Sequence, residues 1–72
     1  MIKPISRRKL IQRLRSLGFA GPFTATRHEY MMRGDQKIFI PNPHGGDIGT
    51  PLLKRILKEF DNGLEEWIRL EK

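Results

Sequence analysis

The spacing of apolar residues changes period twice along this chain, which limits the fold more than any single residue does. Between residues 7 and 17, Leu10, Leu14 and Leu17 fall in a narrow helical stripe, with Ile11 at its edge and Arg8, Gln12 and Arg15 opposite. From residue 27 to residue 40 the period drops to two. From residue 51 it returns to the helical value, with Leu52, Leu53, Ile56, Leu57 and Phe60 forming a stripe that turns Lys54, Arg55 and Lys58 outward. Strands flanked by helices, in a chain of 72 residues, leave one economical solution: an α+β domain whose sheet buries one face under the helices. A chain this short buries about 60% of the surface its unfolded form exposes, so it has room for one thin core and none for a cofactor-binding second half.

The punctuation fits that reading. Ser6 is placed to cap a helix over about residues 7–17, and Gly18 to end it. Thr50 as cap and Pro51 at the first helical position predict a helix over about 51–60, closed by Asp61-Asn62-Gly63. A short helix over about 64–70 then returns Trp67 and Ile68 to the core. Arg27 to Met32 and Lys37 to Ile40 read as strands of a hairpin turning at Gly34-Asp35. That turn places Met31 opposite Ile38 and Tyr30 opposite Phe39. Because side chains alternate, Met31, Ile38 and Ile40 share the face that takes the helices, while His28, Tyr30, Lys37 and Phe39 share an open one. Glu29 falls at the end of the aliphatic face, beyond the reach of the helices. Residues 19–26, interrupted by Gly21 and Pro22, add a short edge strand. The expected order is α-β-β-β-α with a short C-terminal helix, in one domain over residues 1–72.

Charge narrows the partners. The formal net charge is +6, and the whole excess lies in residues 1–36, which carry eight basic and two acidic side chains against six of each in residues 37–72. No acid precedes Glu29, so the first helix lacks the Glu–Lys pairs that a purely structural helix recruits. Such a surface attracts polyanions: nucleic acid first, an acidic protein second. The absence of cysteine excludes disulfides, thiolate zinc sites and cysteine nucleophiles. The start MIKPISRRKL has no hydrophobic core, so neither a signal peptide nor a membrane span is expected, and the location expected is cytoplasmic.

Few residues can do chemistry. No phosphate-binding glycine loop, carboxylate pair or serine triad is visible, and His28, His44 and Asp47 match no metal-ligand spacing, so no metal or cofactor is expected. The two histidines are His28, on the first hairpin strand, and His44, within Pro41-Asn42-Pro43-His44-Gly45-Gly46-Asp47. An imidazole titrates at about pH 6.5 and can therefore exchange a proton in the cell. A lone histidine is usually an ordinary surface residue. His28 stands out by its company: Arg27 and Lys37 supply charge for phosphate, and Tyr30 and Phe39 supply rings on which a base can stack. Arg8 and Arg15 would add phosphate contacts that carry no sequence information.

In their order and spacing, three segments resemble HicA-type mRNA interferase toxins, small proteins of bacterial toxin–antitoxin pairs. They are Arg8-Lys9-Leu10 through Leu17-Gly18-Phe19; Thr26-Arg27-His28-Glu29-Tyr30; and Ile40-Pro41-Asn42-Pro43-His44-Gly45-Gly46-Asp47-Ile48 leading into Leu52-Leu53-Lys54-Arg55-Ile56-Leu57. Together they span most of residues 7–60. The resemblance implies a double-stranded-RNA-binding-domain-like fold, metal-independent cleavage of mRNA with His28 as the catalytic histidine, and a HicB-type antitoxin that covers the active face. Thr26-Arg27 stands where the family has Gly-Ser. RNA contacts are expected at Arg8, Arg15, Arg27, Tyr30, Lys37, Phe39 and His44. The alternatives are a noncatalytic RNA- or DNA-binding module using the same basic helix and hairpin, and a structural adaptor for an acidic protein.

Overall fold

A computed structural model of the chain describes residues 2–42, 46–60 and 62–70. The Ser6 side chain accepts a hydrogen bond from the Lys9 amide at 3.1 Å and so starts helix α1 (Arg7–Ser16), as the sequence predicts. Gly18, at φ +99°, turns the chain out of it. Three strands follow, β1 (Ala20–Ala25), β2 (His28–Arg33) and β3 (Gln36–Ile40), in the order β1-β2-β3 with both pairs antiparallel. Helices α2 (Thr50–Leu57) and α3 (Gly63–Leu70) complete the chain. This is the small α+β arrangement expected from the change of period, with residues 19–26 supplying the third strand.

The β2–β3 register is the one that a Gly34-Asp35 turn dictates. Met31 pairs with Ile38 and Tyr30 with Phe39, and Gly34 takes φ +60°, which costs glycine nothing. Met31, Ile38 and Ile40 are buried in a single core with Leu10 and Leu14 of α1, Leu53, Ile56 and Leu57 of α2, and Trp67 of α3. The helices therefore cover one sheet face and leave the other bare. In β1 the register shifts between Ala20, opposite Met32, and Phe23, opposite Tyr30; the chain gains one residue there, at Gly21-Pro22. From that bulge onward Phe23 stands on the bare face beside Tyr30.

The helix ends and edges differ from expectation in four places. Gly49, extended and without a side chain to offer, precedes the second helix, and Thr50 is its first residue; the Leu53 amide donates to the Gly49 carbonyl at 2.9 Å and closes the first turn. The helix ends at Leu57 rather than at Phe60, whose ring is buried in the following turn, edge-on to Phe19 at 4.9 Å. Leu52 is 37% exposed, because one position from Leu53 is about 100° around the helix and outside the buried arc. Ile68, one position beyond the fully buried Trp67, is exposed for the same reason. Asn62, at φ +59°, makes the turn into α3, while Asp61 lies outside the described residues. Among the described residues, no helix is long and apolar enough to cross a membrane.

Two ties were not foreseen. Ile5 and Ile48, both buried, form an isolated antiparallel bridge through amide–carbonyl bonds of 3.1 and 2.7 Å. Arg33, at the end of β2, donates to the Leu17 carbonyl at 3.0 Å and pairs with Glu66 of α3 at 3.1 Å. Its guanidinium lies 4.9 Å from the centre of the Phe19 ring and 5.2 Å from that of Phe60. One planar cation thus joins the hairpin, the end of α1 and α3. The partly exposed ion pair adds little alone, but the carbonyl bond and the two ring contacts depend on the same guanidinium. Arg33→Ala is expected to lower stability by about 2 kcal/mol, the range for hydrogen bonds to charged groups, read as a lower urea midpoint with an unchanged slope. A midpoint equal to wild type would show that the tie contributes nothing.

Candidate nucleic-acid interface

The bare sheet face is built on one cross-strand row of rings. Phe23, Tyr30 and Phe39 are successive partners across β1, β2 and β3, with ring centres 5.6 Å apart for Phe23–Tyr30 and 6.3 Å for Tyr30–Phe39. Phe23 is 44% and Phe39 53% exposed, unusual for rings this size in so small a chain. His28 and Lys37 flank the row on opposite sides. His28, two residues before Tyr30, is exposed and meets Phe39 edge-on at 6.4 Å. Lys37, two residues before Phe39, holds its Nζ 4.4 Å from the Tyr30 ring centre and 5.0 Å from that of Phe39. Apart from the rings, the strand residues on this face are Ala20, Ala25, His28, Met32 and Lys37, so it carries a cation and no acid.

Beyond His28, at the end of the sheet, Arg7, Arg27, His28, Glu29, Pro41 and Asn42 line a groove. Glu29 is satisfied there. Arg7, in the first turn of α1, forms an ion pair with it and donates from Nε to the Pro41 carbonyl at 3.1 Å. The end of the aliphatic face is therefore reached by the helix after all, and Arg7 is not among the outward-facing bases of α1. This pair ties the end of β3 to the strand that carries His28. Arg27 occupies the two-residue turn between Ala25 and His28, next to the imidazole.

The residue before Arg27 has taken a backbone that suits glycine. Thr26 has φ +55°, where a β-branched side chain is strained, and its hydroxyl donates to the Ala25 carbonyl. Thr26→Gly should relieve that strain, offset in part by the greater freedom glycine has when unfolded, for a net gain of up to about 1 kcal/mol. A melting temperature higher by a few degrees is the expected reading; a lower one would show that the hydroxyl bond outweighs the strain.

Of the sequence-predicted residues, Arg27, His28, Tyr30, Lys37 and Phe39 are brought together on this face and its end groove. Arg8 and Arg15 are not. Both are exposed on α1, in the layer behind the sheet, and Arg15 reaches only the β1 backbone, through Nε to the Gly21 carbonyl at 3.0 Å. His44 lies outside the described residues. Phe23 was missed, because its side of the sheet is decided by the Thr26-Arg27 turn, which the sequence does not mark. Among the described residues, no three His, Asp or Glu side chains cluster as metal ligands. Comparison with protein-family models, with curated proteins and with solved structures finds no match to this chain.

Proposed function

We propose that the chain is a metal-independent endoribonuclease of the HicA toxin type, with a double-stranded-RNA-binding-domain-like fold and His28 as its acid–base group. The observation that carries this reading is the placement of His28: an exposed imidazole beside Arg27, at the edge of an acid-free face of rings. In the proposed reaction the 2′-oxygen of a ribose attacks the adjacent phosphorus and the bond to the 5′-oxygen breaks. One proton leaves the 2′-hydroxyl and one joins the leaving oxygen, and His28 handles at least one of these transfers. Arg27 would hold the phosphate charge as it develops. The order of elements and the three matching segments support the family reading, in which a HicB-type antitoxin covers the open face. Complementary charge and the exposed rings suit such a cover.

The row of rings also favours a second reading, a noncatalytic RNA- or DNA-binding module, since stacking needs no histidine. Incubating the purified protein with RNA in excess EDTA separates the two. Cutting under these conditions supports the nuclease; salt-sensitive binding without cutting supports the module.

A further inference from the structure

We infer that the bare sheet face is a subsite for one unpaired nucleotide, with its base stacked on Phe39 and its flanking phosphates held by Arg27 on one side and Lys37 on the other, so that the protein discriminates against paired RNA. This rests on the nuclease reading only for the position of the cut. Three observations carry it. Among the described residues, Phe39 is the most exposed of the large apolar side chains, and the two rings beside it, His28 and Tyr30, meet it at steep angles of 80° and 65°. Among the described residues no ring is stacked flat on it, and the group over its face is the mobile Lys37 ammonium, 5.0 Å from the ring centre. The two cations enter from opposite sides of the row, Arg27 next to His28 and Lys37 from the turn side, its Nζ over the Tyr30 and Phe39 rings, which suits them to different phosphates of one strand. Finally, the face has no acid among its strand residues to repel a polyanion, and Glu29, on the other face, is paired with Arg7.

The chemistry selects an unpaired strand. In a duplex the flat faces of the bases are stacked on one another, whereas an unpaired base can leave its neighbours for a protein ring. A nucleotide seated on Phe39 would place its ribose next to His28, whose ring edge touches the same phenylalanine. Phe23, on the far side of Tyr30, offers a second ring for a neighbouring base.

The test uses the whole chain and a fluorescein-labelled deoxyoligonucleotide, which has no 2′-hydroxyl and so reports binding without cleavage. It is offered unpaired and annealed to its complement. Wild type should bind the unpaired form more tightly. Phe39→Ala should weaken that binding about five- to hundredfold, with little effect on the duplex and no change in the slope of log affinity against log salt. Phe39→Leu, which keeps the apolar contact with the sheet, should behave like the alanine variant and guards against misfolding. Lys37→Ala should flatten the slope by about 0.7. Equal affinity for the two forms, or a Phe39→Leu variant that binds as wild type does, overturns the inference. So does failure of wild type to bind either form at low salt, the outcome expected if the face serves only a protein partner. If wild type cuts RNA in EDTA yet Phe39→Leu binds normally, the subsite is wrong and the nuclease reading stands. If the variants lose unpaired binding but no RNA is cut, the subsite stands and the nuclease reading falls.

Discussion

On the proposed nuclease reading, His28→Ala should fold as wild type does and cut RNA about 10²- to 10⁴-fold more slowly, the usual share of one acid–base group. The imidazole is exposed, and its one ring contact is an edge at 6.4 Å from Phe39, so its removal leaves no cavity in the core. Its loss should therefore appear in the chemical step and not in the melting temperature. Affinity for an uncleavable strand should change little, since Phe39, Lys37 and Arg27 remain. The measurement is single-turnover cleavage beside thermal melting and binding. A folded variant that cuts at close to the wild-type rate removes His28 from the mechanism. Equal losses of rate and affinity would instead make it a binding residue.

Gly63→Ala should have the largest effect on stability of any alanine placed at a described glycine. Helix propensity alone gives the opposite sign, because alanine is favoured over glycine by up to about 1 kcal/mol within a helix. The packing decides otherwise. Gly63 is buried at the start of α3, and a Cβ there would lie 2.0 Å from the Leu57 carbonyl oxygen, 3.0 Å from its carbon and 2.9 Å from the Phe60 ring. The clash is with backbone at the end of α2, which cannot rotate away as a side chain can. Overpacking costs typically about 1–3 kcal/mol, and a backbone clash this close belongs at or above the top of that range. A domain of this size has only about 4–11 kcal/mol in all, and each kcal/mol moves its melting temperature by about 4–8 °C. A fall of more than about 10 °C is therefore expected. Gly34→Ala is the useful contrast: nothing lies within 4 Å of its added Cβ, so only the positive φ opposes it, for about 1–2 kcal/mol. A Gly63→Ala protein as stable as wild type would mean that α3 can slide away from α2 at little cost.

Much of the site could be read from the sequence because one turn determines it. Gly34-Asp35 sets the β2–β3 register, the register sets the parity, and the parity puts His28, Tyr30, Lys37 and Phe39 on one face. Phe23 escaped because its side is set by the other turn, from which Ala25, Thr24 and Phe23 pair in unbroken register with His28, Glu29 and Tyr30; the extra residue at Gly21-Pro22 changes only the side of Ala20. The turn that would have revealed the pairing of Phe23 with Tyr30 is Thr26-Arg27. Its threonine, a poor residue for positive φ, gave no turn signal. The pairing of Arg7 with Glu29 was not legible because the two lie on different elements, and helix periodicity says nothing about contacts between elements. Leu52 and Ile68 were assigned to the core on hydrophobicity, although each lies just off the buried arc of its helix.

The bridge between Ile5 and Ile48 bears on how the chain reaches this shape. Both strand pairings join neighbours in sequence through tight turns, so the sheet can zip together locally and at small entropic cost. The bridge instead encloses α1 and the entire sheet within one loop. Closing that loop gains little until the sheet and α1 have already brought the two isoleucines near each other, which makes it a late event. The same geometry makes it an early one to open. Opening it would release Ile48 and the approach to α2 while the hairpins stay paired, so the two hydrogen bonds of the buried bridge should exchange before those that pair the strands of the sheet.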